Sequence, residues 1–220
     1  MIVFRVMCIA FLVFAVFSCN DDEDSVPETE SETEEPDYYP MEEREYIYRF
    51  DSVMHDPFSG TADTVEGKIK RQYIFHEGNE DLLRVEVSWR YDDDERWRPH
   101  SLQKIEKLQE YLLWYRDNEP FALMFFPLKE GREWDGHKFN DREAHSYRYT
   151  SVGENFSTPD ATHNRVLSVE MENESTFLFE KQKKAVLQDG KGLIYFSHQD
   201  EEYQTDHTEG FIYRKWLITP

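Results

Sequence analysis

The chain has 220 residues, with 46 Asp or Glu against 25 Lys or Arg, a net charge of −21 at pH 7. That balance excludes a nucleic-acid binder, which neutralises phosphates with clustered Lys and Arg. With 39% hydrophobic and 15% aromatic residues, the chain can build one domain-sized core plus appendages.

The first element is an apolar run from Val6 to Phe17, behind a single base, Arg5. As a helix it spans roughly 18 Å, short of a bilayer core of about 30 Å. The pattern predicts an export signal, not a permanent span. Cys19 follows, and residues 20–38 then carry ten acids and no base. That stretch is too polar and self-repelling to pack, which predicts a disordered tether. The expected organisation is a signal peptide at 1–18, a tether at 19–37 and a single β-rich domain at 38–220.

Val16-Phe17-Ser18-Cys19 resembles the lipobox of bacterial lipoproteins. The resemblance implies that Cys19 is lipidated and becomes the first residue after cleavage. Two or three acyl chains on one sulfur anchor durably where a single chain is marginal. Cys8 falls in the removed segment, so the body would hold no thiol, disulfide or Cys-ligated metal. Asp21, Asp22, Glu23 and Asp24, just after the cysteine, resemble the surface-export signal of Bacteroidota lipoproteins. This implies an outer-membrane protein, lipid-anchored and displayed on the cell surface. Asp24-Ser25-Val26, Asp51-Ser52-Val53 and Asp63-Thr64-Val65 resemble the O-glycosylation site of exported Bacteroidota proteins. Ser25 and Thr64, in a predicted tail and loop, are better candidates than Ser52 in a predicted strand.

From Tyr38 onward, period-two alternation marks half-buried strands. Tyr46, Tyr48 and Phe50 share one face of 45–53. Leu83, Val85, Val87, Trp89 and Tyr91 share one face of 82–91. Further strands are predicted at 68–75, 120–126, 145–152, 165–172, 175–181, 192–196 and 210–218, separated by turn formers such as "RDNEP" and "QDGKG". Residues 101–115 are ambiguous. Ile105, Leu108, Leu112 and Tyr115 recur at helical spacing behind Ser101, whereas the short connection to the next strand favours a strand over 110–115. The fold class expected is all-β, a minor helix being possible, with an antiparallel sheet forming a sandwich or partly open barrel.

The segments 125–140, 146–152, 165–171, 189–196 and 210–218 fall in an order that is similar to landmarks of small Bacteroidota lipoproteins. The resemblance implies a β-rich body and supplies no catalytic residue. Trp134-Asp135-Gly136 predicts a tight turn, with a ligand-stacking Trp134 as the alternative. Gly190 and Gly192 predict a hairpin or a close approach of strands. No nucleophile elbow, phosphate loop or zinc-binding helix motif is present. His198 and His207, with Asp200, Glu201, Glu202 and Asp206, form the densest metal-ligand patch, and the expected reading is a solvated acidic loop. Residues 91–97 lack the spacing of a calcium loop and predict a polar turn. No metal, cofactor or catalytic residue is assigned. The expected function is a membrane-anchored, non-enzymatic binding or structural module, with a glycan, peptide or envelope protein as ligand. A carboxylate-dependent hydrolase of cell-surface glycans is the alternative.

Overall fold

Period-two alternation governs almost the whole chain from Arg44 to Leu217, in the computed structural model, which describes residues 36–91 and 94–218. Cys19, Asp21, Asp22, Glu23, Asp24 and Ser25 lie outside the described residues. Twelve strands form: β1 (Arg44–His55), β2 (Ala62–His76), β3 (Asn79–Tyr91), β4 (Arg98–Lys107), β5 (Tyr111–Arg116), β6 (Glu119–Phe125), β7 (Glu133–Asp135), β8 (Ser146–Ser157), β9 (Thr162–Ser175), β10 (Phe179–Gln188), β11 (Gly192–Tyr203) and β12 (Thr208–Leu217). No helix occurs among the described residues. The helical spacing over 101–115 is therefore overridden. Ile105 faces Leu83 and Trp114 across β4, so tertiary pairing decides the element.

All twelve strands join one antiparallel sheet in the order β6-β5-β4-β3-β2-β1-β12-β11-β10-β9-β8-β7. Neighbours in sequence are neighbours in space, and β12 returns to β1 with Phe50 opposite Lys215. The sheet curls into a nearly closed barrel, because β6 and β7 meet at its two edges. The Ala122 amide donates to the Gly136 carbonyl at 2.9 Å, and Trp134 Nε1 donates to the Ala122 carbonyl at 2.8 Å. The Tyr149 hydroxyl accepts from the Phe125 amide and donates to its carbonyl, at 2.8 and 3.0 Å. Closure satisfies edge groups that would otherwise template aggregation.

The seam corrects one expectation. Trp134-Asp135 is a strand, and Trp134 is 6% exposed, packed on Tyr147 and Tyr149. It fills the barrel wall and offers no face for a ligand. Gly136 is required for space, since a Cβ there would sit 2.4 Å from the Tyr147 ring. The hairpin at Gly190 and Gly192 forms as predicted, both glycines having positive φ of 72° and 77°.

Two turns differ from expectation. The predicted strand at 175–181 spans the β9–β10 turn, and β10 instead uses the Lys-rich run after it. β11 continues to Tyr203, so Asp200, Glu201 and Glu202 belong to a strand and not to a loop, and only Asp206 lies in the turn.

One end of the barrel is stopped by the segment before β1. The Gly190 amide donates to the Asp37 carbonyl, and the Asp37 amide to Asp189 Oδ1, both at 2.9 Å. Tyr38 and Tyr39 are thereby buried inside. The β1–β2, β5–β6 and β11–β12 turns surround the opposite, open end. There β5 and β6 are short while β1, β2 and β9 run to 12, 15 and 14 residues. The wall is lowest at the β5–β6 hairpin, whose Asp117 and Asn118 both have positive φ, as a two-residue turn of right twist demands.

Candidate binding site inside the barrel

Three strands place a cation where their alternation calls for an apolar side chain. In β2, Arg71 shares the inward set of Ile69 and Tyr73. In β5, Arg116 follows Leu112 and Trp114. In β12, Lys215 follows Tyr213. A fourth, Lys183 of β10, sits two residues before buried Ala185. Period two then points all four into the barrel.

Arg71 is 2% exposed, and no carboxylate among the described residues pairs with it. Its guanidinium donates to Gln103 Oε1 at 3.2 Å and lies over the Tyr73 and Trp114 rings at 5.3 and 5.6 Å. Gln103 Oε1 also accepts from Trp114 Nε1 at 2.9 Å, and Gln103 Nε2 donates to Ser101 Oγ at 3.3 Å. Below this chain Tyr39 and Tyr73 hydroxyls lie 3.3 Å apart, and Tyr48 donates to the Leu193 carbonyl at 2.8 Å. Burial opposes the Arg71 charge, and the three tyrosines outweigh it, so its pKa stays above the usual value.

Arg116 is clamped between aromatic faces, 4.8 Å from the Trp114 centroid and 4.6 Å from that of Phe121. Its buried Nε has no hydrogen-bond partner among the described residues. Lys215 projects Nζ toward the Phe196 and Tyr48 rings at 5.2 and 5.9 Å and makes no hydrogen bond or ion pair to any described residue. Burial, then Arg71 and Arg116, push its pKa well below the usual lysine value. Burial and Arg116 lower Lys183 to about 8, against the opposing pull of Glu172. Burial, then Lys183, hold His198 at about 4.

These groups border a cavity of about 410 Å³ at the open end, lined among others by Ser101, Gln103, Trp114, Arg116, Phe196 and Lys215. Asp117, on the hairpin rim, is the one carboxylate among the described residues of that lining. A second cavity of about 390 Å³ adjoins it, sharing His100 and Tyr213, and is walled by Phe50, Val65, Ile69, Trp89 and Tyr91. The first is polar and cationic, the second aromatic and apolar.

The residues singled out in the sequence do not build this site. Thr64 lies in β2 opposite Val53, not in a loop, and its side chain is exposed. The His198–His207 patch divides: His198 faces the interior opposite Lys183, Glu201 lies on the other face 2.7 Å from His55, and His207 pairs with Asp206 and Glu209 in the β11–β12 turn. Among the described residues no group of three metal-ligating side chains converges. The signal that sequence reasoning missed was available: a base at apolar parity in β2, β5 and β12.

The sequence matches no family model, and no curated protein or solved structure is similar to it.

Proposed function

We propose that the protein is a lipid-anchored envelope module that holds a small organic ligand inside its barrel and performs no chemistry on it. The observation that carries this reading is the cavity of about 410 Å³ at the open end, with the polar groups of Ser101, Gln103, Arg116 and Lys215 converging on it. Ligand pockets of that size are mostly apolar with a few placed polar groups. Enclosure by strands on all sides suits a small molecule better than a folded protein. A hydrolase of the carboxylate type needs two facing acids. The lining of this cavity supplies Asp117 alone. A separate groove of about 380 Å³ does carry Glu133, Glu170, Glu172 and Glu174, but no Trp, Tyr or Phe lines it, and Glu170 is already bound by Arg148 at 2.6 Å.

The lipobox-like Cys19 and the acids at 21–24 support placement on the outer membrane, facing outward. An acyl mass on a peptide beginning at Cys19 in native protein is the expected finding; a chain still starting at Met1 refutes the anchor. For the cavity, the uncharged dye N-phenyl-1-naphthylamine should bind saturably to the purified chain with a rise in fluorescence. Ser101→Trp, which fills the cavity beside Val87, should abolish that rise while leaving the chain folded. Saturable binding that survives Ser101→Trp would place the dye elsewhere and overturn the reading.

A further inference from the structure

The cavity's charge runs opposite to that of the molecule. The chain as a whole carries −21, yet Arg71, Arg116 and Lys215 point inward with no carboxylate among the described residues bound to any of them. Taking a cation out of water without a partner costs several kcal/mol. Arg71, fully buried, and Arg116 and Lys215, half-buried beside one space, sit on three separate strands and are not a packing solution. Leu or Met at each position would fill the same volume without the penalty. Uncompensated charge of one sign around a cavity is what a ligand of the other sign completes.

The geometry describes the head of that ligand. Arg116 is fixed by stacking between Trp114 and Phe121, which orients its donors without consuming them. Lys215 approaches from the facing strand, held among rings that cannot accept a strong hydrogen bond. Gln103, locked by Arg71 and Trp114, and Ser101 add neutral donors beside them. A planar guanidinium with an ammonium nearby suits an oxyanion with two or three oxygens. The body of the ligand follows from the adjoining cavity, whose Phe50, Trp89, Tyr91 and Tyr213 present rings and no charge. The acidic exterior sets the upper limit, because its field repels a polyanion before it reaches the open end.

We propose that the barrel binds a small organic monoanion, a carboxylate or sulfonate, with its head against Arg116 and Lys215 and its apolar body along Phe50, Trp89 and Tyr213. This rests on the reading of the barrel interior as a ligand cavity and adds the ligand's chemical class. Arg71 is a positioning residue: it acts through Gln103 and lies below the head.

Two dyes with one shared skeleton test it. 8-Anilinonaphthalene-1-sulfonate is N-phenyl-1-naphthylamine carrying a sulfonate. Fluorescence titration of the purified full chain should give the anionic dye at least roughly tenfold tighter binding than the neutral one. Arg116→Gln and Lys215→Met should each remove most of that preference, read within each variant as the ratio of its affinities for the two dyes. Near-ultraviolet circular dichroism of both variants checks that the barrel is intact, and either variant suffices if the other does not fold. Inorganic phosphate at millimolar concentration should not displace the anionic dye, because it lacks a body. Equal affinity for the two dyes, or a preference that survives both substitutions, overturns the charge inference and leaves the cavity reading standing. Displacement by phosphate overturns the amphipathic part. Binding of neither dye overturns both readings.

Discussion

Lys215 shows most sharply how one side chain trades stability for function. Opposite Phe50 in β1 and Phe196 in β11, it occupies a position that the register reserves for an apolar group. Replacing this half-buried cation, which has no ion-pair partner among the described residues, by an apolar chain of similar length is neutral or stabilising, by about 1–3 kcal/mol. Lys215→Met should therefore raise the urea midpoint of the ligand-free protein at unchanged m-value, while weakening anion binding. A lowered midpoint would mean that Lys215 has a structural partner. Gly136 illustrates the opposite constraint. A methyl group there meets the Tyr147 ring at 2.4 Å, so Gly136→Ala should destabilise by about 1–3 kcal/mol through overpacking. Equilibrium unfolding measures it, and a change below about 0.5 kcal/mol would show that the ring moves aside freely.

At the level of elements, the seam between β6 and β7 is where the barrel is weakest. β7 has three residues, against 12 in its partner β8. Across the gap, the Trp134 indole spans to the Ala122 carbonyl. Trp134→Phe keeps a ring but leaves that carbonyl without its indole donor. A loss of about 1–3 kcal/mol is expected, with faster hydrogen exchange at the Ala122 amide, which bonds Gly136 across the same gap. Unchanged exchange there would mean that the seam does not depend on the indole. Much of the element pattern was legible in the sequence. Tyr46, Tyr48 and Phe50, and the alternating run in β3, declare their inward faces because large apolar residues recur at every second position. The tight turns at Asp117-Asn118 and Gly190 were legible for the same local reason. The site was not. Arg71, Arg116 and Lys215 lie 45 and 99 residues apart along the chain, and only pairing across the sheet makes them neighbours. β10 was hidden too, since "EKQKK" reads as solvent-facing until Lys183 is seen opposite His198 on the concave face. The seam depends on contacts such as Phe125 with Tyr149, which no local pattern encodes.

Across the whole molecule, acids outside and bases inside make binding depend on pH in a defined direction. An anion at the head site supplies negative charge beside Lys215, which lines the cavity, and acts from further away on Lys183, which neighbours Arg116, so each holds its proton more tightly when the site is filled. The groups facing Lys183 are Arg116 from β5, Glu172 from β9, Arg142 from the β7–β8 loop and His198 from β11; those acting on Lys215 are Arg71 and Arg116. His198, at about 4, is neutral throughout the neutral range and takes no part. Empty, Lys183 loses its proton near pH 8. The filled protein therefore carries more protons above that pH, and anion affinity falls as pH rises. Between pH 7 and pH 9 the fall should approach roughly tenfold for the sulfonated dye and be absent for the neutral one. Stability of the empty protein runs the other way. The unfolded chain keeps a lysine protonated up to about 10.4, so between about 8 and that value it binds the proton that folded Lys183 has lost. Stability from this residue rises with pH across the window, and Lys183→Met should flatten the rise. Anion affinity that increases toward pH 9, or stays level in wild type, would show that the lysines do not face the bound head.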